Sequence, residues 1–334
     1  MPGAVQHVVP FRPFDDDPNR IELEGGRELR LGELIGKGSG ATVYRAALRE
    51  ANGLERRVAV KLWASIASEE SEQVLAVILD ITQRVACVEH PNVARVFACG
   101  SWRGRPYIVM EHVAGVSLAA FQESFAKKQR RISLDLAIFI AAEVAEALAA
   151  ARTARDHDGL KIGLLHHALS AREVLLSFGG EVKVTDFESS TTRGASSSIR
   201  SLRGVAARAA TMAPEVAQGN EADPRSDVFS FGVLMRELFV GPRFPASVTS
   251  AEAMKLARTG HVEPLNFMPH LPAGIVAVME RCLEIDPDDR YPNASALAFE
   301  LRHESLAMGV GDGRYFLRDA VQREWEQAEE ITQF

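Results

Sequence analysis

Glu173, Asp186 and Glu188 fall within one short stretch, Leu164 to Glu188 (LLHHALSAREVLLSFGGEVKVTDFE), which opens with the paired histidines His166 and His167. Carboxylate oxygens of this kind take up divalent cations. Far upstream, the turn Gly36-Lys37-Gly38-Ser39-Gly40 interrupts a strand-like pattern. Its glycines let backbone amides close over phosphate oxygens with no Cβ in the way. Lys61 ends the apolar run Val58-Ala59-Val60 and is the one clear cation to set against those carboxylates. A triphosphate approaching such a set meets net repulsion unless divalent ions are recruited. The chemistry implied is that of phosphate groups and metal ions, in weakened form.

The elements that must position these residues are legible around them. Leu29, Leu31, Leu34 and Ile35 lead into the glycine turn and Thr42-Val43-Tyr44 leave it, which predicts strand, turn, strand. Pro106 to Val113 (PYIVMEHV) predicts a buried strand. Leu134 to Arg155 carries Ile138, Ala141, Ala142, Ala145 and Leu148 at helical spacing behind Ser133, a candidate N-cap. That helix should be the centre of an α-rich unit.

Taken together, the motifs resemble the protein kinase family, whose catalytic segment runs H-R-D, four residues, N, then a hairpin and D-F-G. His166-His167-Ala168 stands in place of H-R-D, Glu173 in place of the Asn, and Asp186-Phe187-Glu188 in place of D-F-G. The spacing is kept and the chemistry is not. The glycine hairpin followed by Val58-Ala59-Val60-Lys61 resembles the small kinase lobe, with Ala41 at the third family glycine. Counting back from His90-Pro91-Asn92-Val93 places Ile81 where the family has its helix glutamate, with Asp80 one residue away as a shifted substitute and Glu72 about two turns earlier. The resemblance implies a nucleotide site formed by Gly36, Gly38, Val43, Ala59, Lys61, Met110, Glu111, Val113, Leu175 and Asp186. Asp186 and Glu173 are the implied metal ligands. Ser170 takes the place of the phosphate-facing lysine of Ser/Thr kinases.

Later motifs are architectural. Met212-Ala213-Pro214-Glu215 resembles A-P-E, Asp227 opens a segment like the helix that buttresses the catalytic loop, and Arg290 is the arginine expected to pair with Glu215. The implied fold is α+β and bilobal, resembling soluble bacterial Ser/Thr-type kinases over about residues 29 to 304. Residues 1–28 read as a mobile extension, 29–114 as a β-rich N-lobe, 115–304 as an α-helical C-lobe and 305–334 as a helical tail.

Composition supports a globular, soluble reading: 46% of the 334 residues are apolar, and a net charge of −7 argues against a nucleic-acid or anionic-membrane binder. Three cysteines are odd in number and sit in apolar company, so free thiols in a reducing, cytoplasmic setting are expected. No leader pattern and no membrane-spanning apolar run is evident.

Function follows from the altered site. A general base contributes roughly 10²- to 10⁴-fold, so Ala168 alone would leave slow turnover. Ala168, Ser170, Glu173 and Glu188 together imply a pseudokinase that acts through protein binding, with ATP and Mg²⁺ bound weakly or not at all. Two alternatives are a slow or atypical Ser/Thr kinase and a structural interaction domain with a closed cleft. Thr191, Thr192, Ser196, Ser197 and Ser198 lie in a Ser-rich loop with Arg193, Arg200, Arg203 and Arg208, where a partner kinase could add a phosphate that pairs locally.

Overall fold

A computed structural model describes residues 19–37, 40–64, 71–167, 169–187, 209–245, 247–263 and 271–331. Gly38, Ala168, Glu188 and the candidate phosphosites Thr191, Thr192, Ser196, Ser197 and Ser198 lie outside them, as does the side chain of Glu72.

The smaller lobe is a six-stranded antiparallel sheet. Its strands are β1 (Arg20–Leu23), β2 (Arg27–Lys37), β3 (Ala41–Arg49), β4 (Glu55–Trp63), β5 (Val96–Trp102) and β6 (Arg105–Glu111), in the order β1-β2-β3-β4-β6-β5. Helix α1 (Ser71–Ala86) packs on one face. The period-two alternation of β4 decides what each face does. Val58, Val60 and Leu62 enter a cluster with Leu48 and Val109, whereas Ala59 and Trp63 pack with Ile78, Ile108 and Met110. Lys61 shares the second face and is thereby aimed beneath the sheet.

The sheet begins earlier than residue 29, so the stretch assigned to a mobile extension has to be shortened. Arg20–Leu23 pairs with Arg27–Arg30 across Gly25 and Gly26, both at positive φ (74° and 69°). Ile21 and Leu29 are buried, and Arg20 bridges to Glu28 at 2.7 Å. Two glycines supply the left-handed turn at no steric cost, and the apolar contacts of Ile21 hold the hairpin to the lobe.

The larger lobe surrounds α3 (Leu134–Thr153), buried at thirteen of its twenty positions. A helix that is apolar on all sides has to sit inside. Ser133 occupies the N-cap position, but its side chain accepts no capping hydrogen bond. Around α3 lie the small sheet β7 (Gly115–Ser117), β8 (Val174–Ser177) and β9 (Val182–Val184), then α2 (Leu118–Lys127), α4 (Pro214–Ala217), α5 (Pro224–Phe239), α6 (Ser250–Arg258), α7 (Ala273–Cys282) and α8 (Ala294–Ala307). Helix α5 starts on a capping box made by Asp223 and Ser226, with proline at its first position.

The last helix, α9 (Arg314–Ile331), packs onto α2 and β8, with Leu317 and Val321 fully buried. It reaches the β8–β9 turn so closely that a Cβ on Gly180 would stand 2.0 Å from the Arg314 carbonyl oxygen. All three cysteines are free thiols. Among the described residues, no helix is long and apolar enough to cross a membrane.

Candidate active-site cleft

The strand register puts Gly36, Val43 and Lys61 side by side on β2, β3 and β4, and sets Ala59 opposite Met110 on β6. Glu111 ends β6 and Val113 follows it before β7, while Leu175 is half-buried on β8. The Nζ of Lys61 lies 2.8 Å from Asp186 Oδ2 and 5.2 Å from the ring centroid of Trp63. Sequence reasoning placed lysine and aspartate in one site from positions 125 residues apart, and the fold joins them.

Asp186 and His167 both have positive φ, 67° and 62°. That region is uncommon for residues with a Cβ, although Asp and His enter it more readily than most, and it turns the segment sharply at the cleft. Burial works to raise the Asp186 pKa, but the Lys61 ammonium and the Thr185 hydroxyl outweigh it and hold the carboxyl below its ordinary value. Thr185 also donates to Met110 Sδ at 3.7 Å, so the two lobes meet at this point.

Glu173 behaves in the opposite way. Burial, reinforced by the negative charge of Asp186, pushes its pKa up to about 7, and its Oε2 accepts a 2.5 Å hydrogen bond from Ser170. This contact between two altered motif positions, three residues apart, was not foreseen.

Behind the loop, the carboxylate of Asp227 accepts the backbone N–H groups of His166 (2.7 Å) and His167 (2.8 Å), and burial pushes its pKa up to about 6. The His166 ring is fully buried, with its pKa lowered to about 4, and is therefore neutral. Its Nε2 faces the Thr185 carbonyl oxygen at 2.9 Å, which assigns the proton to Nε2 because a carbonyl only accepts. The ring packs 4.8 Å from that of Phe187, itself buried. Farther down, Arg290 holds Glu215 through two 2.9 Å hydrogen bonds, donates to the carbonyls of Arg225, Glu284 and Ile285, and lies over the Phe229 ring.

Asp80, weighed as a stand-in for the helix glutamate, is turned away from the lysine. Asp80 is exposed and pairs with Arg84 at 3.1 Å, one turn along α1, while Ile81 is buried in the core. Successive helix residues differ by about 100° in direction, so a neighbour in sequence faces elsewhere.

A family model described as protein tyrosine and serine/threonine kinase matches residues 29–301. The chain belongs to this protein kinase family. Similar proteins include the tyrosine-protein kinase MasK of Myxococcus xanthus, 27% identical over 266 residues that make up 79% of this chain and 41% of MasK. The serine/threonine-protein kinase PksC of Streptomyces coelicolor is 30% identical over 286 residues, 83% of this chain and 49% of PksC. The serine/threonine-protein kinase PknB of Mycolicibacterium smegmatis is 28% identical over 278 residues, 81% of this chain and 42% of PknB. The chain thus spans less than half the length of these relatives.

Protein kinases use ATP and Mg²⁺. In this kinase domain Gly36, Val43 and Lys61 lie in register with Ala59 opposite Met110, and these are the residues that would hold a nucleotide. The metal half fits poorly: one Glu173 oxygen accepts from Ser170, burial pushes the pKa of its carboxyl up to about 7, and Asp186 already faces Lys61. Among the residues not singled out from sequence is Glu324 on α9, only 2% exposed, whose carboxylate takes Lys128 Nζ (2.7 Å), Arg130 (2.6 Å) and Ser124 Oγ (2.9 Å). The basic run Lys127-Lys128-Gln129-Arg130-Arg131 was its only signal in the sequence.

Proposed function

We propose that this kinase domain is a pseudokinase that works by binding another protein, with phosphoryl transfer impaired and nucleotide bound weakly or not at all. The observation that carries the reading is the Ser170–Glu173 hydrogen bond. Two positions at which the family motif serves the phosphate and the metal engage each other, and Ala168 supplies no proton acceptor. The remaining phosphate-facing cation in this scheme is Lys61, so any nucleotide binding depends on it. The partner includes an active kinase that phosphorylates the loop bearing Thr191, Thr192, Ser196, Ser197 and Ser198, and the protein works in the cytoplasm.

A second reading, a slow Ser/Thr-type kinase, is favoured by the Lys61–Asp186 pair at 2.8 Å and by the relatives named as kinases. One experiment separates them: phosphoryl transfer from ATP with Mg²⁺ to the protein itself and to generic substrates, with Lys61→Met as control. The pseudokinase reading expects no transfer above the control, and Ala168→Asp alone does not restore it. Robust, lysine-dependent transfer by the unmodified protein would overturn the reading.

A further inference from the structure

A groove of about 600 Å³ opens between α2 and the C-terminal end of α5, next to the segment that carries Ser170. Phe125, Ile132, Leu134, Leu238 and Leu271 contribute to an apolar lining, and Arg130, Arg131 and Arg172 stand among them. Among the described residues, the charges around the groove are not balanced. In the basic run at the end of α2, Lys127 pairs with Glu123 at 2.9 Å, and Lys128 and Arg130 hold the buried Glu324. Arg131 and Arg172 are exposed, and neither side chain makes a hydrogen bond or ion pair with a described residue. Arg130 already shows what this end of α2 selects: its guanidinium lies over the Phe125 ring at 4.9 Å and grips a carboxylate. Its neighbour Arg131 also lines the groove, and its guanidinium makes no ion pair with a described residue.

We propose that this groove is a docking site for a carboxylate-rich, extended segment of a protein partner. Arg131 and Arg172 receive acidic side chains, and the apolar lining receives one aliphatic or aromatic side chain. Guanidinium forks match carboxylates bidentately, and an apolar anchor beside them supplies the desolvated contact that dominates binding energy. Two carboxylates line the same groove. Glu123 is neutralised by Lys127. Glu237 makes no ion pair or hydrogen bond with the described residues, and burial pushes its pKa up to about 7, so it does not present a full negative charge to an acidic visitor at neutral pH. The proposal rests on the reading of the domain as a protein-binding module, and it adds the chemistry of the partner.

The test uses the full chain and fluorescein-labelled peptides: a Glu/Asp-rich peptide with a central leucine, its Lys-substituted counterpart, and a version in which phosphoserines replace the acids. Fluorescence anisotropy at low and physiological salt gives the affinities. The acidic peptide should bind, with salt weakening it, and the Arg131→Glu/Arg172→Glu protein should lose affinity by about tenfold or more. Arg131→Gln/Arg172→Gln, with an unchanged melting temperature, guards against misfolding of the reversed-charge protein and should weaken binding in the same direction. Equal binding of the Lys-substituted peptide, binding of the phosphoserine version alone, or full affinity in both double variants would overturn the proposal. So would a concentration-dependent dimer abolished by the same substitutions, which would make a second copy the occupant. None of these readouts requires catalysis, so a failure of peptide binding is read separately from the phosphoryl-transfer assay that tests the pseudokinase reading.

Discussion

Glu215 with Arg290, and Lys61 with Asp186, are both ion pairs joining distant parts of the chain, yet they stand in different company. Arg290 donates to a carboxylate through two bonds and to three carbonyls, and Ser226 adds a third donor to Glu215. In the cleft, the Lys61 ammonium faces Asp186 while Glu173 keeps a raised pKa beside it. The first pair is over-determined and holds two helical segments together. The second, among the described residues, joins one ammonium to one carboxylate beside a second, raised-pKa carboxyl. The difference is one of redundancy: the architectural pair of the kinase lobe is held by many donors, and the described contacts of the cleft pair are fewer.

The largest expected effect tests the over-determined side. Arg290→Ala removes a fully buried guanidinium and leaves the half-buried Glu215 without its cation, and should destabilise the fold by about 3–5 kcal/mol in urea or thermal denaturation. A loss no larger than that of an exposed arginine would erase the contrast. On the cleft side, a nucleotide present at about 100 times its Kd would add about 2.7 kcal/mol to stability, seen as a raised melting temperature. Any such shift should vanish in Lys61→Met. Tight nucleotide binding that survives the substitution would place the phosphate site elsewhere.

A smaller effect comes from Glu237, whose folded pKa near 7 lies above the ordinary carboxylate value of 4.5. The folded protein then holds more protons than the unfolded chain between those values, so this group's contribution falls as pH rises through the window and is flat above it. Glu237→Gln should match the parent below about pH 4.5 and be the more stable protein near pH 8, by on the order of 2 kcal/mol. Equal pH profiles for parent and variant would refute the assignment. At the small end, Asp80→Ala removes an exposed helix pair and should change stability by about 0.5 kcal/mol or less without altering nucleotide affinity. A clear loss of nucleotide affinity would return Asp80 to the cleft.

Local spacing made much of this molecule legible. The glycine turn, the lysine strand and the Asp186 hairpin each lie on a few consecutive residues, so their order and separation carry the fold. Which carboxylate a helix turns toward a lysine is set by how the helix docks, and that is why the sequence left the reach of Asp80 open and did not show that Ile81 is core. The hairpin at Arg20–Leu23 was missed because its apolar residues are few and its signal was two adjacent glycines inside a charged stretch. Ser170 and Glu173 were each weighed as a lost function, but that they bond each other depends on a loop conformation no motif spells out. Glu324 lies 194 residues from Arg130, too far for any pattern of periodicity to connect them.

The close approach at Gly180 has a consequence for where this domain ends as a folding unit. The family match stops at residue 301, yet Leu317 and Val321 are sealed into the large lobe and Glu324 fills a basic notch on α2. A fragment cut at the family boundary would lose Leu317, Val321 and Glu324, and would bare to water the surface of α2 and β8 that α9 covers. Any side chain larger than hydrogen at position 180 would also wedge the helix off its seat. The contacts that close the large lobe thus run past the family boundary to Glu324 on α9.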